Sequence, residues 1–249
     1  MALLNFKKDN GPVAGTRSPE VEAFLQGYSM EVMPRTAEKV EDFRALLPEG
    51  TRVYIAHIEG TPIEDMVATA KRLNADGFPV MPHFPARIIK DTATLKDWIA
   101  RYQGEANVDQ ALLLAGGVDT PYAQMALATQ FAFEAGPNIA WAENLKAAGI
   151  DLPVHIGIAG PAKLQTMIKF AIACGVGPSL RVLQRRAKDV TKLLVPFEPT
   201  DVISQLAAHK AANPDFNIAQ VHFFPLGGIK TNANWAIQNG GRAAVPANA

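Results

Sequence analysis

Short β-rich runs alternate with longer amphipathic stretches along nearly the whole chain, and no other feature constrains the fold as much. The runs 28–34, 52–60, 78–85, 110–117, 125–133, 152–160 and 218–228 read as strands. Between and after them, 36–47, 61–77, 91–105, 137–150, 161–175, 179–194, 200–213 and 231–241 read as helices, several with cap residues such as Thr36, Asp91 or Thr92. Alternating βα units require a parallel sheet, and strands apolar on both faces are expected where helices cover them.

Several of these strands end in small or polar residues: AHIEG, MPHFP, LAGG, GIAG and PLGG. Small residues at the carboxyl ends leave room for loops gathered around a ligand, which favours an α/β fold of the (βα)8 TIM-barrel type over an open doubly wound sheet. The nucleotide folds marked by GxGxxG or GxxxxGK[ST] lose support, because neither fingerprint occurs. A barrel of this kind needs eight strands, and only seven are legible. The strand ending at Gly117 and the one starting at Met125 are joined by only Val118 to Gln124, whereas a parallel crossover takes a dozen or more residues. One strand and its helices are therefore missing between Asp119 and Gln124. The chain is expected to be a single barrel domain over 1–249, with an N-terminal extension at 1–27 and a tail at 242–249.

The composition is that of an ordinary globular protein with a large core: 249 residues, with 24 basic and 24 acidic side chains. That balance argues against a nucleic-acid surface. No apolar run approaches a membrane span and no leader pattern opens the chain. The single cysteine, Cys174, excludes an internal disulfide framework and reads as a small buried hydrophobe, so a cytoplasmic protein is expected. A homo-oligomer is expected from apolar helices such as FAIACGVG.

Chemistry-bearing residues stand out against this background. Glu31 is a carboxylate inside an apolar strand. Burial raises a carboxyl pKa, which suits a general acid; the alternative is a strand-end Glu paired with Arg35. His57 and His83 fall late in their strands and face the expected mouth, while His155 and His222 read as early and structural, and His209 as a solvated helix residue. No HxH or HExxH accompanies them, so no metal site is expected, although a metal-dependent hydrolase built on His57 and His83 is a third reading. Gln130 is an amide in a hydrophobic strand, able to hydrogen-bond a flat heterocycle or a neighbouring strand end. Asp119 either binds a ligand donor or starts a turn with Thr120 and Pro121. Lys230 either meets an anion at the mouth or is solvated. The run 184–188, QRRAK, reads as the wet face of a helix.

In their order along the chain, these segments resemble the methylenetetrahydrofolate reductases, flavin-dependent (βα)8 enzymes of one-carbon metabolism. YSMEVMPRTAEK is similar to the family's first strand (FEFFPPRT), which places Glu31 on the catalytic Glu. VMPHFPARI is similar to the PHLT-type third strand, with His83 on the His beside the flavin. ATQFAFE is similar to TQFFFD, with Gln130 on the folate-contacting Gln. AGIDLPVHIGIAG and VHFFPLGGIKTNANWAI resemble the family's AGI-x-x-PIIPGI and HFYTLN elements. The chain departs from the family in three places. Ala115-Gly116-Gly117 stands where an Arg-Gly-Asp is usual, with Asp119 two positions late. His57 stands where Thr is common. The family's fifth strand and its flavin-holding loop have no counterpart. The resemblance implies bound FAD, NADH or NADPH as reductant and a folate substrate. It implies contacts to the flavin from His57, His83, Gly116, Gly117 and Asp119, and contacts to the substrate from Gln130 and Lys230. A flavin-free folate-binding protein of the same fold is the alternative.

Overall fold

The computed structural model describes residues 17–86, 88–114, 135–147, 153–173 and 196–243. The expected strand at 125–133, the expected helix at 179–194 with its QRRAK run, Cys174, and the candidates Gly116, Gly117, Asp119 and Gln130 lie outside them. Six strands are described: β1 (Ser29–Val32), β2 (Val53–Ile55), β3 (Val80–Pro85), β4 (Leu112–Leu114), β5 (Val154–Ala159) and β6 (Ile218–Phe224). They form one curled, wholly parallel sheet in the order β4-β3-β2-β1-β6-β5. Eight helices accompany them: α1 (Pro19–Phe24), α2 (Pro34–Ala37), α3 (Ile63–Ala75), α4 (Thr92–Ala106), α5 (Ala135–Ala147), α6 (Leu164–Ala173), α7 (Thr200–Ala212) and α8 (Ile229–Gln238). Within the stretch 1–27, α1 is capped by Ser18 and places Val21 and Phe24 in the core. None of the described helices is long and apolar enough to cross a membrane.

The expected helix over 36–47 is not formed. Only α2 is helical, and the chain then turns through 38–47. Arg72 of α3 explains why. Its guanidinium donates to the carbonyls of Ala37 (3.1 Å), Val40 and Glu41 (3.0 Å) and lies 5.3 Å over the Phe43 ring. The Ala37 carbonyl also takes the Val40 N–H at 3.0 Å, a tight-turn bond rather than an α-helical one, so the guanidinium fastens a turned path and not a continuing helix. Phe43 and Leu47 are still buried, so their spacing reported burial rather than helix. Arg72→Met should keep the aliphatic stem, withdraw the guanidinium from three carbonyls and lower stability by about 2 kcal/mol, read as a shift of the urea midpoint at unchanged slope.

The expectation of strands apolar on both faces is also corrected. Register fixes which residues share a face. Met30 pairs with Val53 and Phe223, Val53 with Val80, and Val32 with Ile55. All of these are buried in the main core, together with Leu73 of α3, Ile203 and Leu206 of α7 and Ala233 of α8. This is the helix-covered face. The alternate residues make the other face: Glu31 pairs with Tyr54, and Ser29 with His222, which pairs in turn with Gly157. That face carries Ser29, Glu31, Tyr54, His83 and His222.

Candidate functional site

Three polar residues of the inner face stand in the carboxyl halves of their strands. Glu31 is the third residue of four in β1, His83 the fourth of six in β3, and His222 the fifth of seven in β6. The curl of the sheet brings them together although β3 and β1 are not neighbours. His83 Nε2 lies 3.6 Å and His222 Nε2 3.7 Å from the same carboxylate oxygen, Glu31 Oε2. The Glu31 side chain retains 19 % of its surface, so an otherwise enclosed carboxyl group can still be reached. Of the two readings of Glu31, pairing with Arg35 is not what the geometry shows: its neighbours are imidazoles.

His222 was expected to be early in its strand and structural; it stands instead beside Glu31. Its Nδ1 is 2.8 Å from Ser29 Oγ. This hydrogen bond turns the ring so that Nε2 faces Glu31, and the ring tautomer sets which of the two partners donates. Tyr54 completes the group, edge-on to His222 (4.6 Å between ring centres) and to His83 (6.2 Å). Phe224 packs at 87° against His222. It lies over Gly157, where a Cβ would come within 2.4 Å of its ring. Ser29, Tyr54 and His222 were missed because the strands were read for hydrophobicity alone. The available signal was the period of two, with Ser29 and Glu31 alternating against Met30 and Val32.

His83 is almost wholly enclosed, and its Nε2 has no hydrogen-bond partner among the described residues. Burial pushes its imidazole down from an ordinary 6.5 to about 4; Glu31 opposes this, and His222 and His57 add to it. A histidine kept neutral in the fold and protonated when unfolded stabilises fully above pH 6.5, and that contribution is lost as the pH falls toward 4. Between these limits the loss from His83 should be about 3 kcal/mol. Urea unfolding at pH 7 and pH 4.5 measures it, and His83→Gln should flatten the dependence.

The structure does not bring His57 into this group. Alternation beyond β2 puts it on the helix side, stacked on Trp98 of α4 with 4.6 Å between ring centres. Its Nε2–H donates to the Thr61 carbonyl (3.1 Å), Nδ1 is buried without a hydrogen-bond partner among the described residues, and burial lowers its pKa. His155 is near the amino end of β5, as expected. His209 is not simply solvated: it lies 3.3 Å from Glu143 and packs edge-on to Phe216. Lys230 is exposed in the first turn of α8, just beyond the carboxyl end of β6. Among the described residues, no three His, Cys, Asp or Glu side chains form a group able to hold a metal ion. A cavity of about 220 Å³, lined by Asn74, Phe78, Val80 and Asn107, lies at the amino end of β3, away from Glu31.

An enclosed carboxyl group, flanked by two imidazoles and open on one side, can hold a proton and pass it to a bound base. No protein-family model matches the chain.

Proposed function

We propose that the chain is a flavin-dependent methylenetetrahydrofolate reductase, reducing 5,10-methylenetetrahydrofolate to 5-methyltetrahydrofolate at the expense of NADH or NADPH. The observation that carries this reading is Glu31, held between His83 and His222 on the inner face of the sheet at its carboxyl end. That is where a barrel enzyme keeps its chemistry, and where the resemblance of YSMEVMPRT puts a general acid. The complete fold in this reading is a (βα)8-type barrel lacking one strand. β1 lies beside the last strand, β6, as barrel closure requires. The protein would act in the cytoplasm as a homo-oligomer.

The residues present fit a flavin. His83 offers an enclosed imidazole nitrogen without a hydrogen-bond partner among the described residues, and Tyr54 and Phe224 give the same face aromatic walls. His83, with Gly116, Gly117 and Asp119, would hold the cofactor, and His57 would support the rim from behind. When bound, the flavin supplies the hydride carriage between the nicotinamide and the folate. Glu31 holds a proton at its carboxyl oxygen and gives it to a nitrogen of the folate's imidazolidine ring, which opens to the iminium that accepts hydride. His222, oriented by Ser29, lines one side of the carboxyl group without bonding to it. Gln130 orients the pterin by hydrogen bonds, and Lys230 meets an anionic part of the substrate.

The purified protein should be yellow, or gain flavin absorption with FAD, and should oxidise NAD(P)H with menadione as acceptor. Loss of both properties in the full-length protein would sink the proposal. The short link Val118–Gln124 favours the second reading, a flavin-free folate-binding protein of the same fold. A colourless protein that takes up no FAD yet binds a folate would support it.

A further inference from the structure

Two imidazoles face one carboxylate oxygen, and both stop short of it. A charge-assisted N–H···O contact closes to roughly 2.7–2.9 Å when nothing prevents it, yet the two Nε2 atoms stand at 3.6 and 3.7 Å from Glu31 Oε2. No hydrogen bond to the Glu31 carboxyl group is formed among the described residues.

Tyr54 occupies the position that explains this. It is paired in register with Glu31 on the adjacent strand and is 7 % exposed, so packing fixes its ring. The ring meets His222 at 4.6 Å and 66°, and His83 at 6.2 Å and 70°. His222 is also held by Ser29, 2.8 Å from its Nδ1, and by the Phe224 ring packed against it at 87°.

We infer that Tyr54 is a positioning residue: its ring, wedged edge-on against His83 and His222, holds both imidazoles off Glu31 and leaves the carboxyl proton free for the substrate. This rests on the reading of Glu31 as the acid of the proposed reaction. Without the wedge, either imidazole can close on the carboxyl group. The proton then passes from the Glu31 oxygen to a histidine Nε2, giving an imidazolium–carboxylate pair and no acid for the substrate. The hydroxyl of Tyr54 has no part in this. The other titratable groups involved are few. His83 feels Glu31, His222 and His57, and His222 faces Glu31 from β1 and His155 from β5, with Arg52 near His155.

The test is a titration of the histidine ring nitrogens by long-range proton–nitrogen NMR in the full-length, ligand-free protein, for wild type, Tyr54→Phe and Tyr54→Leu. Tyr54→Phe should match wild type. Tyr54→Leu should raise the midpoint of His83 or His222 by about one pH unit, a tenfold change in proton affinity. Adding Glu31→Gln to Tyr54→Leu should return it. Unchanged midpoints in Tyr54→Leu overturn the inference, as does a Tyr54→Phe that already behaves like the leucine variant. Circular dichroism establishes that each variant is folded. If Tyr54→Leu is not, Tyr54→Met takes its place with the same two outcomes. The readout needs neither flavin nor folate, so failure of the reductase reading would appear in the cofactor and half-reaction assays and not here.

Discussion

Glu31→Gln is expected to slow the folate half-reaction by on the order of 10²–10⁴ while leaving reduction of bound flavin by NAD(P)H unchanged. The substitution keeps shape and volume but removes the acid that both imidazoles address. Little stability should go with it. His83 is neutral above about pH 4, so no ion pair with it is lost near neutrality. Neither imidazole is within hydrogen-bond distance, so no hydrogen bond is lost either, and the change should stay below about 1 kcal/mol. Stopped-flow measurement of the two half-reactions separates the effects. Equal loss in both would make Glu31 a flavin-binding or structural residue, and no loss in either would remove it from the chemistry.

Gly160→Ala should lower stability by about 3 kcal/mol, at the upper end for overpacking by a single methyl group. Gly160 follows β5 directly, and its N–H donates to the Phe224 carbonyl at 2.9 Å, tying the carboxyl ends of β5 and β6. A Cβ there would fall 1.6 Å from Asn232 Oδ1 and 2.6 Å from its Cγ. Asn232 has no room to give way: it is completely buried in α8, with its Nδ2 on Met30 Sδ at 3.5 Å. Its Oδ1 is buried without a hydrogen-bond partner among the described residues. Asn232→Ala therefore removes an unsatisfied carbonyl and should cost little, within about 1 kcal/mol. The double variant should be more stable than the sum of the singles predicts, by about 2 kcal/mol. Urea unfolding of the four proteins closes the cycle. Simple additivity would show that the backbone of β5, not the Asn232 side chain, absorbs the strain.

Much of the fold was legible in the chain, for reasons that can be traced residue by residue. The strands at 80–85 and 154–159 and the helices at 63–75 and 164–173 lie within the stretches read for them, because burial and local propensity agree there. They disagree at 38–47. Phe43 and Leu47 sit at helical spacing and are buried, yet the backbone there belongs to Arg72, some thirty residues away. No local pattern announces a side chain arriving from another element.

The candidate site divides in the same way. Glu31 was conspicuous as a charge in an apolar run, and the inward face was written in the alternation of Ser29 and Glu31 with Met30 and Val32. His57 and His83 looked equivalent, each a histidine late in a strand, but the parity of β2 turned one to the helices and that of β3 turned the other to the carboxylate. His222 looked unremarkable because its distance from Glu31 spans nearly the whole chain.

The amino-acid order by itself determined a parallel α/β architecture, most element positions and the identity of the odd carboxylate, because periodicity and composition are local and survive without contacts. Only the tertiary structure decided the company that carboxylate keeps. Strand register chose the face, and the curl of the sheet set His83, Tyr54 and His222 around one oxygen, since both depend on hydrogen bonds and packing between residues far apart in the chain.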